Sequence, residues 1–301
     1  MKQPLLSLDT QTAFFYNSLI KLNTYRNITG LMQKIIAPKK GFQFIDWKEL
    51  FLYRHLFFFL VWRDIKIRYK QTILGFTWAV IKPFFSMIVF SIVFGKMARV
   101  ASDGVPYPIF SYAALVPWTY FSSAMVGSTT SLVGNNMLSK IYFPRLVIPA
   151  IPVLAYLVDF MIAFSLLGVL MVYFHIFPGY NIVFLPLLIL LMVFTASGIG
   201  MWLSSLAIQY RDVKFATTFL TQLLMYGAPV VWPASMIPEQ YRMLYGLYPV
   251  AGVVEGFRSA LLGTNPMPWD LIIPGTLSAA IIWISGAFYF KYKERIFADV
   301  V

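Results

Sequence analysis

Side chains that could do acid–base or nucleophilic chemistry are scarce in this chain. Asp159 is the one acid deep within a long apolar run, and His175 follows roughly four helical turns later. An ionisable group at that depth is a functional suspect, because lipid disfavours its charge by about 2.5–3.5 kcal/mol on insertion scales. A proton relay needs a second titratable group within reach. His175 lies near the far end of the run, so a structural or assembly role is the expected one for Asp159. There is no histidine cluster, no paired-carboxylate loop and no Gly-x-Ser-x-Gly. Gly95-Lys96 lacks a glycine five positions earlier, where Phe90 stands, so it is not a phosphate-binding loop. With no cysteine, a thiolate metal site is excluded. No cofactor, metal or catalytic residue is expected on this chain.

Two other patterns carry more. Arg63, Lys66 and Lys70 recur at i, i+3 and i+7 and form a basic stripe on one helix face. Three apolar segments carry rings and hydroxyls at helical spacing: Thr77, Phe84, Ser91 and Gly95; then Tyr112, Thr119, Tyr120, Ser123, Gly127 and Thr130; then Phe215, Phe219, Gln222 and Tyr226. Such faces turn away from lipid. The plain reading is helix packing and interfacial anchoring. The functional reading is a channel wall, because uncharged rings and hydroxyls suit sugars: pyranose C–H faces stack on rings and hydroxyls exchange hydrogen bonds.

Composition says what must position these groups. The 301 residues are 59% hydrophobic and 12% charged, with mean hydropathy +0.72. A soluble domain carries roughly 25% charged residues, so lipid must be the main solvent here. The 28 Phe, 18 Tyr and 8 Trp suit membrane interfaces. The net charge of +12 fits basic residues gathered on one membrane face better than a nucleic-acid partner.

The predicted elements follow the chain. Residues 1–45 read as a cytoplasmic tail with no cleavable leader. Asp46 and Glu49 make a capping box for an amphipathic interface helix over 46–75, whose apolar core Leu56–Trp62 is too short to span. Six spans are expected at about 76–94, 107–132, 147–174, 182–206, 215–233 and 271–290. Lys82 lies about two turns into the first of these and can snorkel. Pro178-Gly-Tyr-Asn181 divides the third span from the fourth. Two short outer helices, about 238–247 and 249–262, precede the last span. Pro249 fits the first position of the second, and Glu255 and Arg258 are spaced to pair. Of the 24 lysines and arginines, only Lys96, Arg99, Arg242 and Arg258 fall on outer segments, which places both termini in the cytoplasm. The expected fold is an all-α membrane protein: a six-span domain over 76–290, with the interface helix before it and a cytoplasmic end over 291–301.

A run of motifs sharpens this. Trp62 to Pro83 (WRDIKIRYKQTILGFTWAVIKP), Gly104-Val-Pro-Tyr-Pro108 with Val116-Pro-Trp118, Ser139-Lys-Ile-Tyr-Phe-Pro-Arg145, Tyr210-Arg-Asp-Val213 and Tyr248-Pro-Val250 occur in order. Together they resemble the type-2 ABC transporter permeases of the O-antigen, capsule and teichoic-acid branch, over about residues 46–295. The resemblance implies the permease subunit of an ATP-driven exporter of lipid-linked polysaccharide in the bacterial inner membrane. It implies a homodimer with a glycan channel between the copies, and two separate ATPase subunits that hold ATP and Mg. Arg63, Lys66, Lys70, Asn135, Asn136, Lys140 and Arg145 would meet the ATPase. Thr77, Phe84, Ser91, Tyr112, Tyr120, Phe215, Phe219 and Tyr226 are the candidate channel wall. The 234–263 segment, with Tyr241, Tyr248, Glu255 and Arg258, would be an outer gate. A drug or lipid exporter, a proton-coupled carrier and a polytopic enzyme on lipid-linked sugars stay open as alternatives at this point.

Overall fold

The computed structural model describes residues 51–70, 75–133, 144–263 and 265–294. Among these residues there is no strand, and nine α-helices form the fold. They are α1 Arg54–Lys70, α2 Trp78–Phe90, α3 Tyr107–Thr130, α4 Val147–Tyr173, α5 Leu185–Gln209, α6 Val213–Gly227, α7 Glu239–Gly246, α8 Pro249–Leu262 and α9 Trp269–Lys293. A 3-10 turn, Gly75–Thr77, leads into α2, and a π-helical stretch, Ser91–Met97, extends it.

Four helical stretches among the described residues are long and apolar enough to cross a membrane: Gly75–Met97, Val147–Tyr173, Tyr180–Gln209 and Trp269–Lys293. The expected second and fifth spans are not among them. α3 is 24 residues long, but ten of them carry a hydroxyl, with two prolines and a glycine besides, in YPIFSYAALVPWTYFSSAMVGSTT; α6 has only 15 residues. α3 lies at the centre of the bundle, and Ile109, Tyr112, Ala113, Phe121 and Ala124 are fully enclosed. Four of its hydroxyls bond back to the helix's own carbonyls, as with Thr129 on Met125 O at 2.8 Å, and those of Tyr107, Tyr112, Tyr120 and Ser128 donate to carbonyls elsewhere in the subunit. That removes the cost of burying them.

Between α5 and α9 the packing is set by glycine. A methyl group at Gly198 would stand 2.8 Å from the Trp283 Cα, and one at Gly286 would stand 2.6 Å from the Gly198 carbonyl oxygen. Lipid gives spans no hydrophobic reason to associate, so close backbone approach supplies dispersion contact instead. Trp202 stacks on Tyr289 at 4.3 Å and donates to Ser285 Oγ at 3.1 Å along the same seam.

α1 differs from the spans. After Arg54-His55 its apolar residues fill two consecutive turns, Leu56–Trp62, and most of its charges fill the next two, Arg63–Lys70. Its polarity is therefore divided along the helix more than around it. Phe58, Phe59, Trp62 and Ile67 are exposed, and only Leu60 is buried. Leu60 enters a cluster with Leu132, Ile148, Ile151, Met201, Ala287 and Phe290. These residues come from the end of α3, the start of α4 and the later turns of α5 and α9, so those parts share one side of the bundle with α1.

The glycine seam predicts a sharp contrast. Gly198→Leu should separate α5 from α9 and cost about 1–3 kcal/mol or more. Gly168→Ala meets nothing within 4 Å and should be neutral or stabilise by up to about 1 kcal/mol. Thermal unfolding in detergent reads both, and equal midpoints for the two variants would count against the seam.

Candidate functional site

The junction between α1 and α2 builds the first site. Gly75 has φ +50 with open space around it, so its conformation, not crowding, asks for glycine. The following turn sets the first turns of α2 beside the last turn of α1. The middles of α3 and α4 close the other sides. Between them lies a cavity of about 490 Å³. Arg68 and Lys82 line it as cations, Asp159 as the acid, Trp78, Tyr120 and Tyr156 as rings, and Thr119 and Ser123 as hydroxyls.

Arg68 is its electrostatic centre. Its guanidinium bonds Asp159 at 3.0 Å and Asp64, one turn back on α1, at 2.8 Å. It also lies over the Tyr156 ring at 3.5 Å. The Tyr69 hydroxyl donates to the other Asp159 oxygen. Hydrogen bonds to a charged partner contribute about 1.5–3 kcal/mol each, discounted here because the Arg68 and Asp159 side chains stay 23% and 21% exposed. Asp159 thus ties α1 to α4, which fits a structural role. His175 is exposed at the end of α4 and takes no part. Nothing in the spacing of the basic stripe marks Arg68, because its partner is 91 residues away. Asp64 at i−4 was the one local signal.

The stripe divides. Lys66 and Lys70 are exposed, Lys66 sitting over the Trp62 ring at 5.3 Å, while Arg63 is half-buried. Arg145 donates to the Glu294 carbonyl at 3.1 Å, which joins the start of α4 to the end of α9. Asn135, Asn136 and Lys140 lie outside the described residues.

The ring faces also divide. Phe215, Phe219 and Tyr226 are exposed along α6, Phe215 at 70%, with Gln222 beside them. Thr77, Phe84 and Ser91 on the first membrane stretch are half-buried, and Ser91 bonds back to Met87 O at 2.6 Å. Tyr112 and Tyr120 are enclosed within the subunit, with hydroxyls donating to Ala163 O at 3.2 Å and Val153 O at 2.9 Å. They brace α3 against α4.

At the opposite end, α8 is buried along its whole length and is part of the core rather than a surface cap. Arg258 is its hub. The guanidinium pairs with Glu255 at 3.1 Å and donates to the carbonyls of Phe110 at 3.3 Å, Trp232 at 3.3 Å and Val230 at 2.8 Å. Burial presses the guanidinium below its ordinary value, and Glu255 opposes that; arginine stays charged through such shifts. α7 is the exposed part of the outer segment: Tyr241 is 55% exposed, apart from the Glu255–Arg258 pair. Tyr245 and Tyr248 donate to Gly227 O at 2.7 Å and Leu224 O at 3.4 Å, which holds α7 and α8 to the end of α6. Burial pushes the Tyr248 phenol up, so it stays neutral. Tyr245 was not singled out in the sequence, where only its place in an aromatic-rich turn marked it.

The sequence profile of the ABC-2 type transporter family matches residues 55–262. The chain is 25% identical over 259 residues to an O-antigen export system permease protein, RfbA, of Myxococcus xanthus, covering 84% of this chain and 98% of that relative. It is 24% identical over 241 residues to the RfbA protein of Klebsiella pneumoniae, covering 79% and 92%. It is 25% identical over 203 residues to the polysialic acid transport protein KpsM of Escherichia coli, covering 66% and 78%.

Two outcomes test the two charged hubs. Asp159→Asn should leave Arg68 half-engaged and raise amide exchange over residues 60–70 roughly tenfold, about the loss of one charge-assisted hydrogen bond. Unchanged exchange would remove the tether. Arg258→Met strands a buried Glu255 and should cost about 3–5 kcal/mol, part of it recovered when Glu255→Gln is added. A double variant that melts no higher than the single one would overturn the pairing.

Proposed function

Because the chain belongs to the ABC-2 type transporter family, we propose that it is the permease subunit of an ATP-driven exporter of lipid-linked polysaccharide. The observation that carries the substrate class is the match along nearly the full length of an O-antigen export permease. The geometry agrees with that reading: α6 offers an exposed, uncharged face of Phe215, Phe219, Gln222 and Tyr226, of the kind that sugars can slide past. In this reading the subunit spans the bacterial inner membrane six times, with α3 and α6 as the second and fifth spans and both termini in the cytoplasm. α3 tolerates its polarity because the subunit itself surrounds it. α6 tolerates its rings and its shortness because a second copy faces it across the channel.

Thr77, Phe84 and Ser91 extend that wall, and Tyr112 and Tyr120 support it from behind. Two ATPase subunits, which hold ATP and Mg, dock on the side that carries α1 and the ends of α5 and α9. Lys66 and Lys70 face them with Arg63, and Asn135, Asn136, Lys140 and Arg145 are the further residues assigned to that contact. On the other side α7, with Tyr241, is the moving part of the outer gate. Tyr248, Glu255 and Arg258 are its fixed frame.

Deleting the gene from a bacterium with no second exporter should abolish surface glycan and leave lipid-linked glycan inside the cell. The wild-type gene should restore export; Lys140→Glu with Arg145→Glu should restore little of it and should weaken ATPase co-purification. Normal surface glycan in the deletion strain would overturn the function, and normal ATPase binding by the variant would overturn the docking site.

A further inference from the structure

The cavity between α1, α2, α3 and α4 contains an exposed cation that no described residue pairs with. Arg68 is claimed by Asp64 and Asp159. Lys82, one full turn into α2 on the same cavity, makes no ion pair or hydrogen bond with any described residue. A lysine within a membrane stretch is costly unless it reaches water or an anion. Two further groups point the same way. Thr119 and Ser123, at i and i+4 on α3, line the cavity with hydroxyls that make no hydrogen bond to any described residue, whereas Ser122, Thr129 and Thr130 on the same helix all bond back to its carbonyls. The cavity therefore presents one cation with no direct partner, and two open hydroxyls, among the described residues. Trp78 and Tyr156 add ring surface beside them.

We propose that this cavity seats the phosphate-bearing head group and first sugar of a lipid-linked glycan, with Lys82 as the phosphate-binding residue. The proposal rests on the export reading above and adds where the substrate is held before it moves. Lys82 supplies a charge-assisted contact to a phosphate oxygen. Thr119 and Ser123 exchange hydrogen bonds with sugar hydroxyls, and Trp78 or Tyr156 stacks on a pyranose face. Arg68 stays with its carboxylates and shapes the wall. A volume of about 490 Å³ falls in the range of small-ligand sites, roughly 300–1,000 Å³. It is sized for a head group and not for a polymer. The site also sits beside the last turn of α1, where a ligand is felt by the helix that faces the ATPase.

The test is native mass spectrometry of the purified full-length chain in neutral detergent. The probes are a synthetic hexosyl diphosphate lipid, phosphatidylglycerol and inorganic phosphate. The hexosyl diphosphate lipid should bind roughly tenfold tighter than phosphatidylglycerol, and Lys82→Gln should weaken it roughly tenfold, the loss of one charged hydrogen bond. Lys82→Arg should restore binding, which shows that the Gln variant lost a charge and not its fold. Trp78→Ala should narrow the preference for the sugar-bearing lipid. Equal binding by Lys82→Gln overturns the assignment of Lys82. Equal binding of phosphatidylglycerol, or displacement by inorganic phosphate alone, overturns a glycan-lipid seat in favour of a general anion site. If the deletion strain loses surface glycan while Lys82→Gln binds normally, only the seat fails. If the lipid binds but the deletion strain keeps its surface glycan, it is the export reading that fails.

Discussion

A guanidinium shared between two carboxylates, Asp64 on its own helix and Asp159 on α4, holds the surface helix to the spans. In water such a contact is worth little, since both partners are well solvated apart. Beside lipid the balance changes, because a lone Asp159 has no good alternative. Leu60 gives α1 its other anchor, eight residues earlier and about 12 Å along the axis. One anchor is apolar and tolerates sliding and rotation. The other is directional and has a defined geometry. A load applied to Lys66 and Lys70 between and beyond them is therefore passed to α4 through Arg68, and to the ends of α3, α5 and α9 through Leu60.

The far end of the bundle is built for the opposite purpose. Arg258 reaches three carbonyls and a carboxylate from the middle of a fully buried helix. Each guanidinium nitrogen has an acceptor, so the site is stiff, and it joins the start of α3 to the stretch between α6 and α7. Nearby, the Asp103 carboxylate accepts from Ser235 at 3.0 Å and Asn265 at 2.8 Å, gathering the outer loops. The polar groups there fix positions. At the α1–α2 junction Lys82, Thr119 and Ser123 have no partner among the described residues.

How much of this the sequence disclosed depends on the range of each interaction. Prolines and turn residues act locally, so Pro249 opening α8 and the break at Pro178-Gly-Tyr-Asn181 were legible. So was the Glu255–Arg258 pair, which needs only helical spacing. The family motifs made the permease class legible as well. What was not legible depends on partners far along the chain. Arg68 looked like one more basic residue near a stripe until α4 brought Asp159 to it. α8 reads in sequence as a short outer helix with two charges, yet those charges pair and the guanidinium's other nitrogens find carbonyls, so it is buried whole. Tyr112 and Tyr120 lay on a plausible wall, but a helical face does not reveal whether a channel or a neighbouring helix stands opposite. Here α4 takes both hydroxyls.

The lengthwise polarity of α1 has a mechanical meaning. A helix with an apolar flank can rest flat at any lateral position, and a thicker or thinner bilayer leaves it undisturbed. In α1 the apolar turns, Leu56–Trp62, lie between Arg54-His55 and Arg63–Lys70. Each residue of axial displacement moves a group by about 1.5 Å. Tipping either end towards hydrocarbon would drag a charge with it, Arg54 at the start or Lys66 at the end. Charge at both ends therefore centres the exposed rings of Phe58 and Phe59 between them, and the tether at Arg68 holds the helix at that one position along its axis.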